Sequence, residues 1–311
     1  MKIVASPANY NEAINLLQTN VDVLVLGHND FCVRNQYHCD LQSLKKLCEE
    51  KGNSEIWVKV NAFFYEPQIN DLEKYLEELN QLKVDRVIFN DYAVPQIIYE
   101  KNLNLKLHYD PNTLVTSYGQ FEFYVQNNFS SVNLSNELFL PEVNTILDNK
   151  PSQIEVSLQI HGYSLIMHSR WNLVTNFSDY IEDKDDEYTR NKILYIREEQ
   201  RQYNNIIFED KHGTHMFSGY ELCLLKYLKN FYDKKLDYIV IDNILQDPNT
   251  NYSLEVCKIY QKAIKLIKDN EWTENKVNEL YDQCLSLAKD KNKVAAGFIG
   301  GIKEIKHYEN I

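Results

Sequence analysis

Ile154-Glu155-Val156-Ser157-Leu158-Gln159-Ile160, running straight into His161-Gly162, is the stretch that decides the fold. Its first seven residues have the aliphatic and β-branched character of a buried strand, and the run ends in a titratable side chain followed by glycine. An α/β protein commonly delivers a side chain to a pocket in this way, at the carboxyl edge of its sheet. His161 is therefore the first candidate for a functional group, because imidazole titrates near neutrality.

Working outward from that run, similar strand patterns recur at Ile3 to Ser6, Val21 to Leu26, Ile56 to Asn61, Arg86 to Asn90, Leu105 to Tyr109, Ser131 to Ser135 and Tyr238 to Asp242. Between them lie amphipathic segments at three-and-four spacing, such as Leu41-Leu44-Leu47-Cys48 and Leu72-Tyr75-Leu76-Leu79. Eight such units predict a (β/α)8, TIM-barrel-like α/β fold rather than an open doubly wound sheet, which would want a glycine-rich first turn. Neither GxGxxG nor a P-loop occurs. The whole chain, 1–311, is expected to form one barrel domain. An insertion at 163–236, between strands seven and eight, is expected to lie over the carboxyl face, with C-terminal helices and a tail at 252–311. Within the insertion, Ile206 to Asp210 reads as a strand and Ser218 to about Lys234 as a helix. The acidic run Glu182 to Glu187 reads as a solvated loop in preference to a metal site. Helices are expected from Leu254 to Lys268 and from Thr273 to Asp290, and the glycine-punctuated end Ala295 to Gly301 as a folded-back tail.

Composition bounds the function. The chain has 311 residues, 44% hydrophobic and 25% charged, which suits a globular protein with a sizeable core. No run of 18 apolar residues occurs, and the amino terminus enters a strand pattern with no charged leader and apolar core, so the expected location is cytoplasmic, with no membrane partner. Six scattered cysteines then read as reduced thiols. The net charge of −12 repels a polyanion unless basic residues gather on one face, and the basic run from Lys226 to Lys235 is interrupted by Asp233. RNA as a substrate would need another molecule to hold it.

Several polar residues stand where strands stop, and in a barrel such positions converge. They are Asn61, Asp91, His108, Glu137, His161 and Asp242; Arg34 and Lys59 add positive charge suited to a small carboxylate. Asp91 reads equally as a helix cap, and Asn61 as a partner of loop backbone. His28, Cys32, His38 and Cys39 crowd together, as do His212, His215 and Cys223, but neither group has the spacing of a compact zinc knuckle. HExxH and GxSxG are absent.

The chain resembles peptidase family U32, the collagenase-like proteins associated with tRNA and quinone hydroxylation. The resemblance rests on His161-Gly162, on Ala5-Ser6-Pro7-Ala8, on Leu26-Gly27 with Phe31-Cys32-Val33-Arg34, on Val60-Asn61, Asn90-Asp91 and Asn133 to Leu138 with Glu137, on Tyr195 to Glu199, Asp210 to Thr214 and Glu221-Leu222-Cys223, and on Ala296-Gly297-Phe298. Where the family reads HGxxC and then SGxC, this sequence has Leu165 at the first cysteine and none near Trp171; no cysteine stands between Arg170 and Lys211. Its counterpart of the family's KIEGR strand, Ile239 to Ile244, lacks the glycine and arginine. The resemblance is to the short paralogue that Firmicutes often encode beside a longer one, the pair being associated with prephenate-dependent 5-hydroxylation of tRNA uridine 34. It implies a chain without an iron–sulfur cluster or other metal. Its partner would be a longer, cluster-bearing U32 paralogue, with tRNA met only through it. His161, Glu137 and Asp91 stand as the catalytic candidates, and Arg34, Asn61, Lys59, His108 and Asp242 as the substrate-binding ones. Two alternatives remain open: a collagenase-like peptidase, and a non-catalytic binder of small carboxylates.

Overall fold

The computed structural model describes residues 1–182, 192–199 and 203–301. Seven parallel strands follow one another in order: β1 (Lys2–Ala5), β2 (Val23–Gly27), β3 (Glu55–Val60), β4 (Arg86–Phe89), β5 (Lys106–Tyr109), β6 (Phe129–Asn133) and the first part of β7 (Glu155–Ser169). Beyond the barrel, β7 continues into an antiparallel sheet with β8 (Leu194–Ile196), β9 (Asn205–Asp210) and β10 (Gly213–Cys223). The chain then returns as β11 (Tyr238–Ile241), which pairs in parallel with both β7 and β1 and closes an eight-stranded barrel. A short β12 (Val294–Ala295) pairs in parallel with β10.

Helices α1 (Tyr10–Gln18), α2 (Leu41–Glu50), α3 (Ile69–Leu82), α4 (Ala93–Glu100), α5 (Phe121–Gln126) and α6 (Leu140–Asn149) link successive barrel strands, α7 (Leu173–Tyr180) follows β7, and α8 (Leu228–Asp233) precedes β11. Two more, α9 (Tyr252–Lys268) and α10 (Glu274–Leu287), follow the last barrel strand. Local chemistry explains their limits. Asn9 and Asp40 cap α1 and α2 by accepting from the backbone N–H groups of Glu12 and Ser43, and Lys83 ends α3 in the left-handed region. On α3, Leu72, Tyr75, Leu76 and Leu79 form the buried stripe and join the main core between strands and helices. Among the described residues no helix is long and apolar enough to cross a membrane.

The helix expected from Ser218 does not start there. Ser218–Cys223 belongs to β10, and helical turns begin only at Leu225. Pairing of Phe217 and Glu221–Cys223 with β7 overrides local propensity, and between them Gly219 packs against the chain before β9, where an added Cβ would sit 2.4 Å from the Asn204 carbonyl oxygen. The acidic run from Glu182 lies, beyond its first residue, outside the described residues.

The barrel interior is layered by strand alternation. Its amino-terminal end is plugged by Arg86, whose Nη2 donates to Glu155 Oε2 at 2.5 Å and Tyr238 Oη at 2.9 Å, and whose guanidinium lies 4.6 Å from the Trp57 ring centroid. Above it, Val4, Val23, Val25, Trp57, Ile88 and Tyr238 form a small apolar core. His108 sits in this layer against Trp57, with Nδ1 2.8 Å from Ser131 Oγ. Arg86 Nη1 donates to that same oxygen at 2.8 Å, so Ser131 links the buried guanidinium to the imidazole. Burial, and then the Arg86 charge, push the His108 pKa down to about 3.

Strand β7 departs from regular pairing where it leaves the barrel. Val240 pairs with Gln159 but Ile241 pairs with His161, so Ile160 is an extra residue in the ladder. Gly162 follows with φ +102, and a Cβ there would lie 2.1 Å from the Asp242 carbonyl oxygen. Only glycine fits.

Two outcomes follow for stability. Gly162→Ala is expected to cost more than about 2 kcal/mol in urea unfolding, whereas Gly119→Ala, where the nearest atom to a new Cβ is 3.7 Å away, stays near wild type. His108 remains neutral in the fold while its unfolded counterpart, near pKa 6.5, takes up a proton, so its contribution to stability is complete above that value and is lost as pH falls toward about 3. His108→Gln should flatten the acid limb by about one proton, roughly 1.4 kcal/mol per pH unit across that window. Parallel slopes for the two proteins would refute the assignment.

Candidate functional site

At the carboxyl end of the barrel, alternation turns a row of polar side chains inward. Lys59 and Asn61 follow Trp57 on the inner face of β3 and its end, Asp110 follows His108, Asn133 follows Ser131, Gln159 follows Ser157, and Asp242 follows Val240. Together they wall an inner cavity of about 60 Å³ with an apolar floor that includes Trp57, Ile88 and Val240. Tyr163, Leu165, Phe217 and Ile244 cover it from the β7–β10 sheet and the turn after β11. A wider vestibule of about 500 Å³ shares Arg34 and Ile244 with this cavity and is lined also by Cys32, His38, Asp210, Lys211 and His212.

Arg34 is the side chain common to both spaces. It lies in the loop after β2 at φ +55, a conformation costing a non-glycine residue about 1–2 kcal/mol. The loop is held there because Val33 N–H donates to Asn61 Oδ1 at 3.0 Å and Arg34 Nη2 donates to Asn112 Oδ1 at 3.0 Å. Its Nη1 is buried with no hydrogen-bond partner. Such an atom is what an incoming carboxylate would satisfy.

Charge in the cavity is balanced and close-set. Lys59 Nζ stands 3.4 Å from Asp242 Oδ2 and 3.5 Å from the Arg34 carbonyl. Asp110 Oδ1 accepts from Asn133 Nδ2 at 3.1 Å and from the Asn112 backbone and side chain, each at 3.2 Å. Burial lowers the Arg34 pKa to about 10, against the pull of Asp110, Asp242 and Asp210, so the guanidinium keeps its charge at neutral pH. Burial likewise raises the Asp110 carboxyl above its ordinary value, with Lys59 opposing it. Two cations, two carboxylates and several amides can grip a small polar molecule bearing a carboxylate and hydroxyl groups.

Arg34, Lys59, Asn61, His108 and Asp242, all expected to bind substrate, meet at this cavity. The three residues expected to act in catalysis do not. His161 lies on the helix side of β7, with Nδ1 3.2 Å from Tyr260 Oη of α9, because the extra residue Ile160 breaks the alternation that would have turned it inward. Asp91, beyond the end of β4, accepts from the N–H groups of Ala93 at 2.9 Å and Phe64 at 3.0 Å and so fixes turn backbone. Glu137 lies past β6 on an exposed turn. Sequence reading missed Asp110, Asn112, Asn133 and Gln159; extending the alternation two residues past His108, Ser131 and Ser157 would have found three of them.

The thiols do not fit a four-cysteine iron–sulfur cluster. Cys32 and Cys39 stand in the loop after β2, Cys48 on α2 and Cys257 on α9, leaving only Cys223 and Cys284 close together, beside His161. Cys32 Sγ lies 3.7 Å from His38 Nδ1 in the vestibule, but burial pushes this thiol up to about 12, so it stays protonated and a poor nucleophile.

Comparison with known proteins agrees with this architecture. Over 303 residues, 96% of each chain, the sequence is 26% identical to the tRNA hydroxylation protein P2 of Bacillus subtilis (strain 168). It is 25% identical to an uncharacterized protease of Methanocaldococcus jannaschii, over 78% of this chain and 57% of that one. Identity is 20% to the tRNA hydroxylation protein P of Haemophilus influenzae, over 68% of this chain and 55% of that protein. The family model described as Peptidase family U32 matches residues 8–309, so that a barrel with this polar mouth, traced along nearly its whole length, belongs to peptidase family U32.

Proposed function

We propose that this chain is a subunit of a tRNA-hydroxylating U32 assembly in the cytoplasm. It would bind a small carboxylate metabolite, prephenate on the family resemblance, in its barrel cavity, while a longer paralogue supplies the iron–sulfur cluster and the RNA contacts. The observation that carries the reading is the end-to-end match to the Bacillus subtilis protein, 96% of both chains, where the two longer relatives are matched over 57% and 55% of theirs. The cavity supports it, since Arg34 Nη1 is buried without a partner beside Lys59. At the first cysteine position of the family pattern, Leu165 packs with Tyr163, Ile206, Phe217 and Ile244 in an apolar cluster. The net charge of −12 agrees with leaving the polyanion to a partner. The thiol–imidazole pair in the vestibule carries a protonated sulfur, which weighs against a cysteine-peptidase reading.

Deleting the gene in a strain with no redundant hydroxylation route should remove most 5-hydroxylated wobble uridine from bulk tRNA, measured by mass spectrometry, and the wild-type gene should restore it. Unchanged modification overturns the proposal. Arg34→Ala should weaken prephenate binding to the purified chain at least about tenfold by calorimetry, the loss of one charge-assisted pair, and should fail to complement. Equal affinity for wild type and Arg34→Ala would remove the carboxylate from this cavity.

A further inference from the structure

The histidine that turns away from the cavity enters a second polar cluster on the far side of the barrel wall. Cys223, the last residue of β10, pairs with His161 across the β7–β10 ladder, and Glu221 lies two residues earlier on the same face. Cys284 reaches the same point from α10. These four residues are almost fully enclosed: His161 is 1% exposed and Glu221, Cys223 and Cys284 are each 2% exposed. Two of their polar atoms, His161 Nε2 and Glu221 Oε2, have no hydrogen-bond partner. A buried polar atom left in that state costs about 1–3 kcal/mol, so this cluster calls for an occupant.

We propose that His161, Cys223 and Cys284 bind one tetrahedral divalent transition-metal ion of the zinc class, with Glu221, 3.3 Å from His161 Nε2, moving in as the fourth ligand. The ligand atoms of His161, Cys223 and Cys284 all lie within 4.8 Å of one another. Zinc bonds of ~2.3 Å to sulfur and ~2.0 Å to nitrogen or oxygen set tetrahedral edges of about 3.3–3.8 Å, so the three ligands must draw together and Glu221 must turn toward the sulfurs when an ion binds. His161 Nε2 already stands 3.3 Å from Glu221 Oε1, which is the nitrogen–oxygen edge and is long for a hydrogen bond between such groups.

The surroundings orient the ligands as well. Tyr260 Oη lies 3.5 Å from the Ile160 carbonyl and 3.2 Å from His161 Nδ1, so with the phenol proton on that carbonyl its oxygen can accept from Nδ1–H, the tautomer that metal binding at Nε2 requires. Tyr252 Oη donates to Glu221 Oε1. Two thiolates, an imidazole and a carboxylate are a donor set that selects zinc or iron(II) over calcium or magnesium. The ion would join β7, β10 and α10, clamping the C-terminal helices to the barrel. It is a single-ion site on different ligands from a four-cysteine cluster, and it stands or falls independently of the proposed function.

The test uses the full chain, purified without chelator. Native mass spectrometry is expected to show one zinc ion per chain. After stripping with chelator, titration with Co²⁺ should saturate at one equivalent, with a thiolate-to-cobalt charge-transfer band and the intense visible bands of tetrahedral cobalt. Stripping should also lower the Tm, and Zn²⁺ should restore it. Cys223→Ser and Cys284→Ser should each lose the charge-transfer intensity, while Cys257→Ser, a buried thiol elsewhere on α9, should keep it. A metal-free wild type that takes up no Co²⁺, a disulfide between Cys223 and Cys284 in the purified protein, or an unchanged cobalt spectrum in Cys284→Ser would each overturn the proposal. The wild-type titration decides even if the serine variants fail to fold.

Discussion

One extra residue in β7 controls the rest of the molecule. Up to Gln159 the strand alternates as a barrel strand must, sending Glu155, Ser157 and Gln159 to the interior. Ile160 then enters the ladder without a partner on β11, and Gly162 follows at φ +102 against the Asp242 carbonyl. Three consequences arise from this one irregularity. Ile160 and His161, adjacent in sequence, both face the helices; β7 leaves the barrel and continues in the β8–β10 sheet; and Tyr163 and Leu165 come to lie over the cavity mouth. Gly162 is required for the path of the backbone, and the histidine before it is turned outward by the same geometry.

The cavity that results is an electrostatic compromise. Arg34 and Lys59 are drawn into a low-dielectric space by Asp110 and Asp242, and each carboxylate is tied down by amides or backbone N–H groups. Pairs of this kind repay their desolvation only in part, and here the shortfall is concentrated on one atom, Arg34 Nη1. The left-handed backbone at Arg34 and the hydrogen bonds to Asn61 and Asn112 hold that guanidinium in place before any ligand arrives. A carboxylate entering from the vestibule would meet a donor already oriented. It would also have to displace some of the attraction between Lys59 and Asp242, which gives the pocket a means of rejecting neutral molecules.

The fold was legible because hydrophobic runs and amphipathic stripes repeat with the βα period, and each of the eight barrel strands lies where such a run occurs. The five residues expected to bind substrate converge for the same reason: strand ends point to one mouth. His161 was misplaced because a bulge obeys backbone geometry, and nothing in the side-chain pattern up to residue 160 announces a lost alternation. Asp91 and Glu137 were displaced by a different effect, since β4 and β6 end at Phe89 and Asn133 and both acids fall on the turns that follow. Ser218–Cys223 has residues compatible with a helix, and only the neighbouring β7 makes it a strand. His161 and Ser218–Cys223 are cases of tertiary pairing overriding a local signal, whereas Asp91 and Glu137 turn on where a strand stops.

The apolar cover of the cavity bears on which chemistry this barrel can host. Tyr163, Leu165, Ile206, Phe217 and Ile244 pack together where the family pattern places its first cysteine, so the cover offers no thiolate at that position, and burial pushes its one titratable group, the Tyr163 phenol, up to about 12. They do exclude water, which strengthens every charge interaction beneath them. Preoriented charges under an apolar cover suit the holding of a small polar ligand. On the proposed function, the reactive group and the RNA are supplied by another chain. The vestibule of about 500 Å³, bordered by Lys211, His212 and Arg34, is the side from which they would approach. Arg34 and Lys211 place two cations on this mouth of an otherwise acidic protein, offset by Asp210 in the lining and by Asp30, 2.6 Å from Lys211 Nζ.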